Sequence, residues 1–453
     1  MQFPPIVFEP LKFISPGQSI FLVGGAIRDI FLGLPLKDLD YAVSGDPRSI
    51  AKRLADQHDG HFYVLDDERH AYRVLLGREG QKPLDLDFIQ MRGNSIAADL
   101  KERDFTINAM AMDLAQPEII IDPLTGGRNL QQRLLKPVAP TSLLDDPVRA
   151  IRAVRYAASL GLKIDHETIE LIKRAAKFLD SVSVERKRDE LFKILAGDHI
   201  NAAIQLLHRF EILPKLGFPA RQDVEIAGRQ MEILDDILRL VCRKADPDKK
   251  QTFHLTSLLL KLSRFSEGLV SHYFDPEPSG RNRRDILVYS ILAANGISRD
   301  ALAQFALSVE EMEIVLKLQG LASAAADLLH NPGELTHREL YRYFLGADQC
   351  GIDLVFLVLG KKLAELPDGN TQQTWLTLLD RAEQCLETWF EHPERVHPRP
   401  ILSGKDLMFQ FDLPPGPLIG ELLDGLKEEQ AAGVVSTRLD AIEWIESRLI
   451  KFK

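Results

Sequence analysis

Cysteine is scarce in this chain: three among 453 residues, Cys242, Cys350 and Cys385, far apart and in no Cys-x-x-Cys or Cys/His cluster. That excludes a disulfide framework and a thiolate zinc site, and it fits a reducing compartment. No stretch approaches the ~20 consecutive apolar residues that a membrane helix needs. The opening MQFPPIVFEPLKF has no charged region followed by a long apolar run, so the expected location is cytoplasmic. Excess positive charge is missing too. The formal net charge is −10, which argues against a basic coat over the whole surface and leaves room for a local basic stripe on an acidic body. No fixed-period repeat points to a solenoid.

What is present is enough chain for about two to four subdomains and a single change of texture near residue 140. Before it, short β-branched or aromatic runs alternate with helical segments: Ile20 to Val23, Tyr41 to Val43, His61 to Leu65, Ala71 to Leu76, Leu84 to Gln90 and Ile119 to Ile121. After it, helical periodicity continues to Lys453, broken by Gly and Pro. The polar stretches Asp275 to Arg284 and His392 to Pro400 read as linkers or exposed turns.

The densest chemistry lies in FLVGGAIRDIFLGLPLKDLDYAV, residues 21 to 43. A buried strand ends at Val23, Gly24 and Gly25 let the backbone turn and approach a ligand, and Ala26 to Leu32 reads as a helix carrying Arg28 in its first turn. Such a turn is either a phosphate cradle or simply a tight connection. Asp38 and Asp40 follow at i and i+2 of a strand, so both carboxylates share a face while Leu39, Tyr41 and Val43 point to the core. Two acids so close repel one another unless a cation lies between them. Oxygen-only donors favour Mg²⁺, or Mn²⁺, over zinc. Asp85 and Asp87 repeat the spacing in LDLDFIQ and offer a third metal carboxylate, Asp87 before Asp85, or two solvated acids of a hairpin neighbour. A phosphate cradle with a metal-binding Asp-x-Asp is what nucleotidyl transfer requires.

Further on, Asp146-Pro147 has the form of a helix start, with Asp146 as N-cap. Arg149, Arg152 and Arg155 then make a basic stripe beside Val148, Ile151 and Val154. Asp104 or Thr106 can cap a helix beginning at Ile107. Lys173, Arg174, Lys177, Arg186, Lys187, Arg188 and Lys193 concentrate positive charge that is either a solvated face or a set of phosphate contacts for RNA.

These segments together resemble the class II tRNA nucleotidyltransferase and bacterial poly(A) polymerase superfamily. GGAIRD with LKDLDYAV is similar to its first motif, ERDFTINAMAMD (Glu102 to Asp113) to the second and DPLTGGRNLQQRLL (Asp122 to Leu135) to the third. DDPVRAIRAVRYAASLGL (Asp145 to Leu162) is similar to the fourth, ERKRDELFKIL (Glu185 to Leu195) to the fifth, and Pro398 to Leu423 more loosely to the tail. The resemblance implies an α+β, polymerase-beta-like nucleotidyltransferase head over 1–140, a helical neck over 141–200, a helical RNA-binding body over 201–275, and a helical tail over 285–453. It implies template-independent addition of C and/or A from CTP and ATP to the 3′ end of tRNA. Poly(A) addition to general RNA and a non-catalytic RNA-binding relic are the alternatives.

For the site, the resemblance implies Asp38 and Asp40 as catalytic metal ligands, with Gly24, Gly25, Arg28 and Arg103 at the nucleotide. Asp104 and Asn108 would order the ribose region, Asp146 and Arg149 would pair with the base, and Arg152 and Arg155 would hold phosphate or shape the pocket. A carboxylate accepts from the exocyclic amine of cytosine or adenine while a guanidinium donates to the neighbouring ring nitrogen or carbonyl, a pattern that uracil and guanine reverse. Three positions depart from the usual motifs: Glu102 replaces arginine, Asn129 replaces aspartate, and Asp145 replaces glutamate. Between LDLDFIQM and the second motif stands only RGNSIAADLKE, where members adding all three nucleotides carry a longer loop; the short interval resembles CC-adding members. Some bacterial members carry an HD phosphohydrolase domain in the second half. Here His254 is present but RRDILVYSILAANG has no His-Asp doublet, so no HD metal site is expected.

Overall fold

The computed structural model describes residues 3–36, 38–78, 81–218, 223–242, 252–276, 280–293, 298–365 and 372–451. It divides into two compact units, Met1–Ala220 and Arg221–Lys453. The segments expected as head and neck, 1–140 and 141–200, both fall in the first.

The β-rich runs of the first unit become β1 (Ile20–Val23), β2 (Asp38–Val43), β3 (His61–Asp66), β4 (Ala71–Arg78), β5 (Gln81–Gln90), β6 (Ala111–Asp113) and β7 (Ile120–Ile121), with α1 (Gly25–Phe31), α2 (Pro47–Gln57) and α3 (Ile96–Lys101) between them. They form one seven-stranded sheet in the order β3-β4-β5-β2-β1-β6-β7. Only β2 and β5 run parallel, because α2 and the β3–β4 hairpin carry the chain across before β5 returns.

Alternation decides what each face of β2 meets. Leu39, Tyr41 and Val43 are fully buried. Tyr41 stacks on Phe88 of β5 at 5.0 Å and donates its hydroxyl to the Val7 carbonyl at 3.0 Å, so an aromatic worth about 1.5–3 kcal/mol of burial also satisfies its polar end. α2, capped by Asp46 and begun by Pro47, packs across β4 and β5. On the opposite face Phe21, Val23 and Ala42 meet Leu100, Ala109 and Ala111. That apolar cluster closes one end of the face and leaves Asp38 and Asp40 at the other.

Beyond the sheet come α4 (Gly126–Gln131), α5 (Ser142–Asp145), α6 (Arg149–Ser159), α7 (His166–Ala176) and α8 (Val184–Leu195). Val148, Ile151 and Val154 are buried as the stripe requires. Two capping expectations are corrected. Asp146 does not cap α6: it ends α5 in an extended conformation, Pro147 and Val148 form a turn, and it is the Asp146 carbonyl that accepts the Arg149 N–H at 3.0 Å. Its carboxylate is thereby released for another partner. Neither Asp104 nor Thr106 caps a helix at Ile107; the chain makes a single 3₁₀ turn, Thr106–Asn108, without a side-chain cap.

The secondary-structure elements among the described residues of the second unit are all helices, joined by turns and one isolated Pro276–Asn282 bridge. The expected linker from Asp275 to Arg284 needs correction at its end, with residues 277–279 outside the described set. Arg283 and Arg284 begin the helix Arg283–Ala293 and are buried. Arg283 donates twice to Asp353 Oδ2, at 2.9 and 2.8 Å, and Arg284 donates to Asp235 Oδ1 at 2.7 Å. A polar run looks exposed in sequence when its ion partners lie dozens of residues away. The stretch from His392 to Pro400 is largely exposed around the short helix Pro393–Val396. The tail from Leu402 onward holds its own apolar cluster, including Leu407, Leu422, Leu426 and Ile445. Among the described residues no single helix is long and apolar enough to cross a membrane.

Candidate active site

Strand register brings the acids together. Asp38 stands opposite Asp85 and Asp40 opposite Asp87 across the parallel β2/β5 pair, so four carboxylates occupy one face in a two-by-two block. Burial pushes Asp40 up to about 6; the Arg103 guanidinium works against this, and the charges of Asp87 and Asp38 add to it. One further strand away, Arg73 of β4 lies opposite Asp87. Its Nε and Nη2 donate to the two Asp87 oxygens at 2.7 and 2.8 Å, and its Nη1 lies 3.0 Å from Asp85 Oδ2. Among the described residues no three acidic, His or Cys side chains converge as a ready metal cage.

Gly24 sits at the edge of this block. Its φ is +77°, and a Cβ there would lie 2.9 Å from Arg103 Nη1 and 3.4 Å from Asp40 Oδ2. The glycine is required both by the turn and by the side chains that close over it. Arg103 itself is steadied by Asp99 of α3 at 3.2 Å. Arg28, one turn into α1, donates to Asn108 Oδ1 at 2.7 Å and to Asp29 at 2.8 Å.

From there a chain of charge-assisted bonds crosses to α6 and α8. Asn108 donates to Asp104 Oδ1 at 3.0 Å, and Arg152 of α6 clamps Asp104 Oδ2 through Nε and Nη2 at 2.9 and 2.7 Å. Burial alone would raise the Asp104 carboxyl, yet Arg152, Asn108 and the Phe105 N–H hold it below its ordinary value. Arg155 reaches Glu190 of α8 at 2.8 Å, and Arg152 lies 3.5 Å from the same carboxylate. Tyr156 anchors the group: the guanidinium carbons of Arg28, Arg152 and Arg155 lie 5.2, 5.7 and 4.3 Å from its ring centre. Residues of the first, second, fourth and fifth motifs thus form one network.

The base-pairing candidates are neighbours that do not touch through their side chains. Asp146 Oδ2 accepts from Arg186 at 2.7 Å. Arg149 spends its terminal nitrogens on carbonyls, Nη2 on Glu102 at 2.9 Å and Nη1 on Arg103 and Ser142 at 3.1 Å each. Glu102 is exposed, and its carbonyl rather than its side chain holds this contact. The third motif supports the second: Asp122 accepts from the Gly126 and Gly127 N–H groups, Asn129 donates to Thr106 Oγ1 at 2.8 Å, and a Cβ at Gly126 would meet the Thr106 carbonyl at 2.2 Å.

In the expected RNA-facing group, Arg174, Lys177 and Arg186 are exposed, Lys173 is half-buried 3.6 Å from Glu170, and Arg188 is half-buried beside Asp189. Lys187 is the exception, 9% exposed, because the inner face of α8 turns it away from solvent. Arg73, Tyr156 and Glu190 are the members that sequence reasoning missed. Only Tyr156 left a local signal, as an aromatic directly after the arginine stripe. His254, noted for its bearing on an HD site, packs edge-on against Trp375 at 5.6 Å.

Comparisons with known proteins place the chain in a family. Residues 20–136 match the model of the poly A polymerase head domain, and residues 161–220 that of the probable RNA and SrmB binding site of polymerase A. Over 441 residues the chain is 30% identical to the CC-adding tRNA nucleotidyltransferase of Thermus thermophilus, covering 95% of this chain and 93% of that one. The chain belongs to the tRNA nucleotidyltransferase family. The family includes the A-adding tRNA nucleotidyltransferase of Deinococcus radiodurans, 27% identical over 449 residues and covered to 96% on both sides. Among solved structures, the complex of a CCA-adding enzyme with ATP aligns with a TM-score of 0.66 at 20% identity, covering 99% of this chain and 100% of that one. That likeness speaks for the fold: a nucleotidyltransferase head carrying a mixed sheet, followed by helices. Of the charged network, Arg28, Arg103, Asp104 and Asn108 lie within the head-domain match and Glu190 within the second match.

Proposed function

We propose that this nucleotidyltransferase adds cytidine to the 3′ end of tRNA from CTP, stopping after CC, with Asp38 and Asp40 as the metal-binding pair. The observation that carries the reading is the meeting of Asp40, Arg103 and the Gly24 turn at one end of the sheet. The site fits a hard divalent cation: its donors are carboxylate oxygens, and Asp40 is driven up toward protonation by burial and by neighbouring acids when no cation relieves it. Bound there, Mg²⁺ or Mn²⁺ supplies charge neutralisation for the triphosphate and a lowered pKa for the attacking hydroxyl.

The chain's own residues orient the reactants. Arg28 and Arg103, with the Gly25 backbone, take the triphosphate, and Asp104 with Asn108 fixes the ribose end through the Arg152 clamp. Asp146 accepts from the exocyclic amine of the base, and Arg149 exchanges one of its carbonyl contacts for the base's ring nitrogen or carbonyl. A wrong base leaves these half-buried polar groups unpaired. Arg174, Lys177 and Arg186 contact RNA phosphates without reading sequence. Restriction to CC is supported by the short interval from Met91 to Glu102, filled by a turn and α3, and by the likeness to a CC-adding relative.

The test is incorporation on three tRNA transcripts, ending before CCA, after one C and after CC, with CTP and ATP separately and together. Addition that stops at CC is expected. Completion to CCA, A addition alone, or a long A tail would each replace the specificity assigned here, and no incorporation with Mg²⁺ or Mn²⁺ would remove the activity.

A further inference from the structure

The acid block on β2 and β5 contains a cation of its own. Arg73 stands in the same cross-strand row as Asp87 and Asp40, since residues directly opposite one another in neighbouring strands share a face. Its fork takes both oxygens of Asp87, at 2.7 and 2.8 Å, and its remaining nitrogen lies 3.0 Å from Asp85. A planar guanidinium matched to a carboxylate by two parallel bonds is the strongest form of this pairing, and arginine keeps its charge at any working pH. Asp87 is mostly enclosed, with 16% of its side chain exposed. A metal ion approaching it would meet the positive charge of the fork already seated on both oxygens.

We infer that Arg73 is a built-in counter-cation that withholds Asp87 and Asp85 from divalent metal and so confines metal binding to Asp38 and Asp40. The inference rests on the reading of Asp38 and Asp40 as metal ligands and removes Asp87 from the set that the sequence suggested. Arg73 acts as a positioning residue. Without it, four like charges on one face would draw a cation toward the middle of the block and away from the Gly24 turn, where Arg28 and Arg103 wait for phosphate. A single fixed positive charge lowers the block's appetite for cations, most of all at the two carboxylates it touches, Asp87 and Asp85.

The two roles separate by the direction in which metal affinity moves. A merely structural arginine, when lost, loosens the strands and weakens metal binding; a withholding arginine, when lost, strengthens it. Mn²⁺ alone is titrated into the full-length, metal-free protein, and free Mn²⁺ is followed by its electron paramagnetic resonance signal. Arg73→Gln is expected to bind Mn²⁺ about tenfold more tightly than the unaltered protein, and adding Asp87→Asn to it should return the affinity to the starting value. Asp87→Asn alone should change little, while Asp40→Asn should lose binding. Equal or weaker binding by Arg73→Gln overturns the inference. So does an Asp87→Asn variant that loses affinity as Asp40→Asn does, and this result decides the matter if Arg73→Gln fails to fold. Unchanged binding by Asp40→Asn, in contrast, overturns the assignment of Asp38 and Asp40 itself.

Discussion

Asp353 of the second unit and Asp40 of the first are both enclosed near arginines, and their surroundings treat them in opposite ways. In the second unit Asp353 is fully enclosed, with Arg283 at 2.8 Å and His272 at 3.0 Å. Burial works to raise its carboxyl, and those two partners hold it below its ordinary value. In the first unit Asp40 is pushed up, because Arg103 and Arg73 do not offset burial and the neighbouring acids. A closed pair neutralises itself and serves the fold. An acid left short of positive charge stores an affinity for something that arrives later, which is the mark of a binding site.

Replacing Asp40 by Asn tests this contrast most severely. Incorporation should fall by on the order of 10³, measured at saturating CTP and Mg²⁺. The metal-free protein should at the same time become more heat-stable at pH 8. The sign follows from Asp40 standing at about 6 folded against an ordinary 3.8. The folded state then holds more protons than the unfolded one between those values, so stability declines as pH rises through that window. Removing the charge removes the penalty, and the gain in melting temperature should vanish near pH 4.

Asp353→Asn should do the reverse. Breaking a buried pair costs about 3–5 kcal/mol, read by urea denaturation, while incorporation per folded molecule stays unchanged. Its carboxyl is lowered on folding, so its contribution is present above the ordinary carboxylate value and is lost as the solution is acidified. If this variant instead lost activity without losing stability, the distinction between the two regions would collapse. A smaller effect is expected at Asp146→Ala, where discrimination between CTP and UTP should drop by roughly 10–100-fold with little change in melting temperature. Last is Gly24→Ala: backbone at φ +77° and ψ −133° costs a residue with a Cβ about 1–3 kcal/mol, and the contact with Arg103 Nη1 should raise the KM for CTP, seen in steady-state kinetics.

Much of the candidate site is legible in the sequence. β1 begins and ends where its apolar run does, and the i, i+2 rule placed Asp38 with Asp40 and Asp85 with Asp87 before any pairing was known. The failures have a common cause. Asp146 looked like a cap because Asp-Pro usually is one, but the chain turns once more before α6 and frees the carboxylate for Arg186, forty residues on. Arg283 and Arg284 looked exposed because their neighbours are polar, while Asp353 and Asp235 lie on other helices. Lys187 looked like surface charge in a basic run, and the packing of α8 buried it.

Sequence alone determined most of the elements, the sharing of faces within each strand, and the residue types that transfer of a nucleotidyl group demands, since all of these depend on neighbours within a few positions. Tertiary structure decided which charges are satisfied. Arg73 meets Asp87 only through the register of β4 on β5, and Arg152, Arg155, Glu190 and Tyr156 join the second motif only because α6 and α8 pack against the head. Electrostatic energy depends on distance and burial in space, and a linear chain carries neither until it folds.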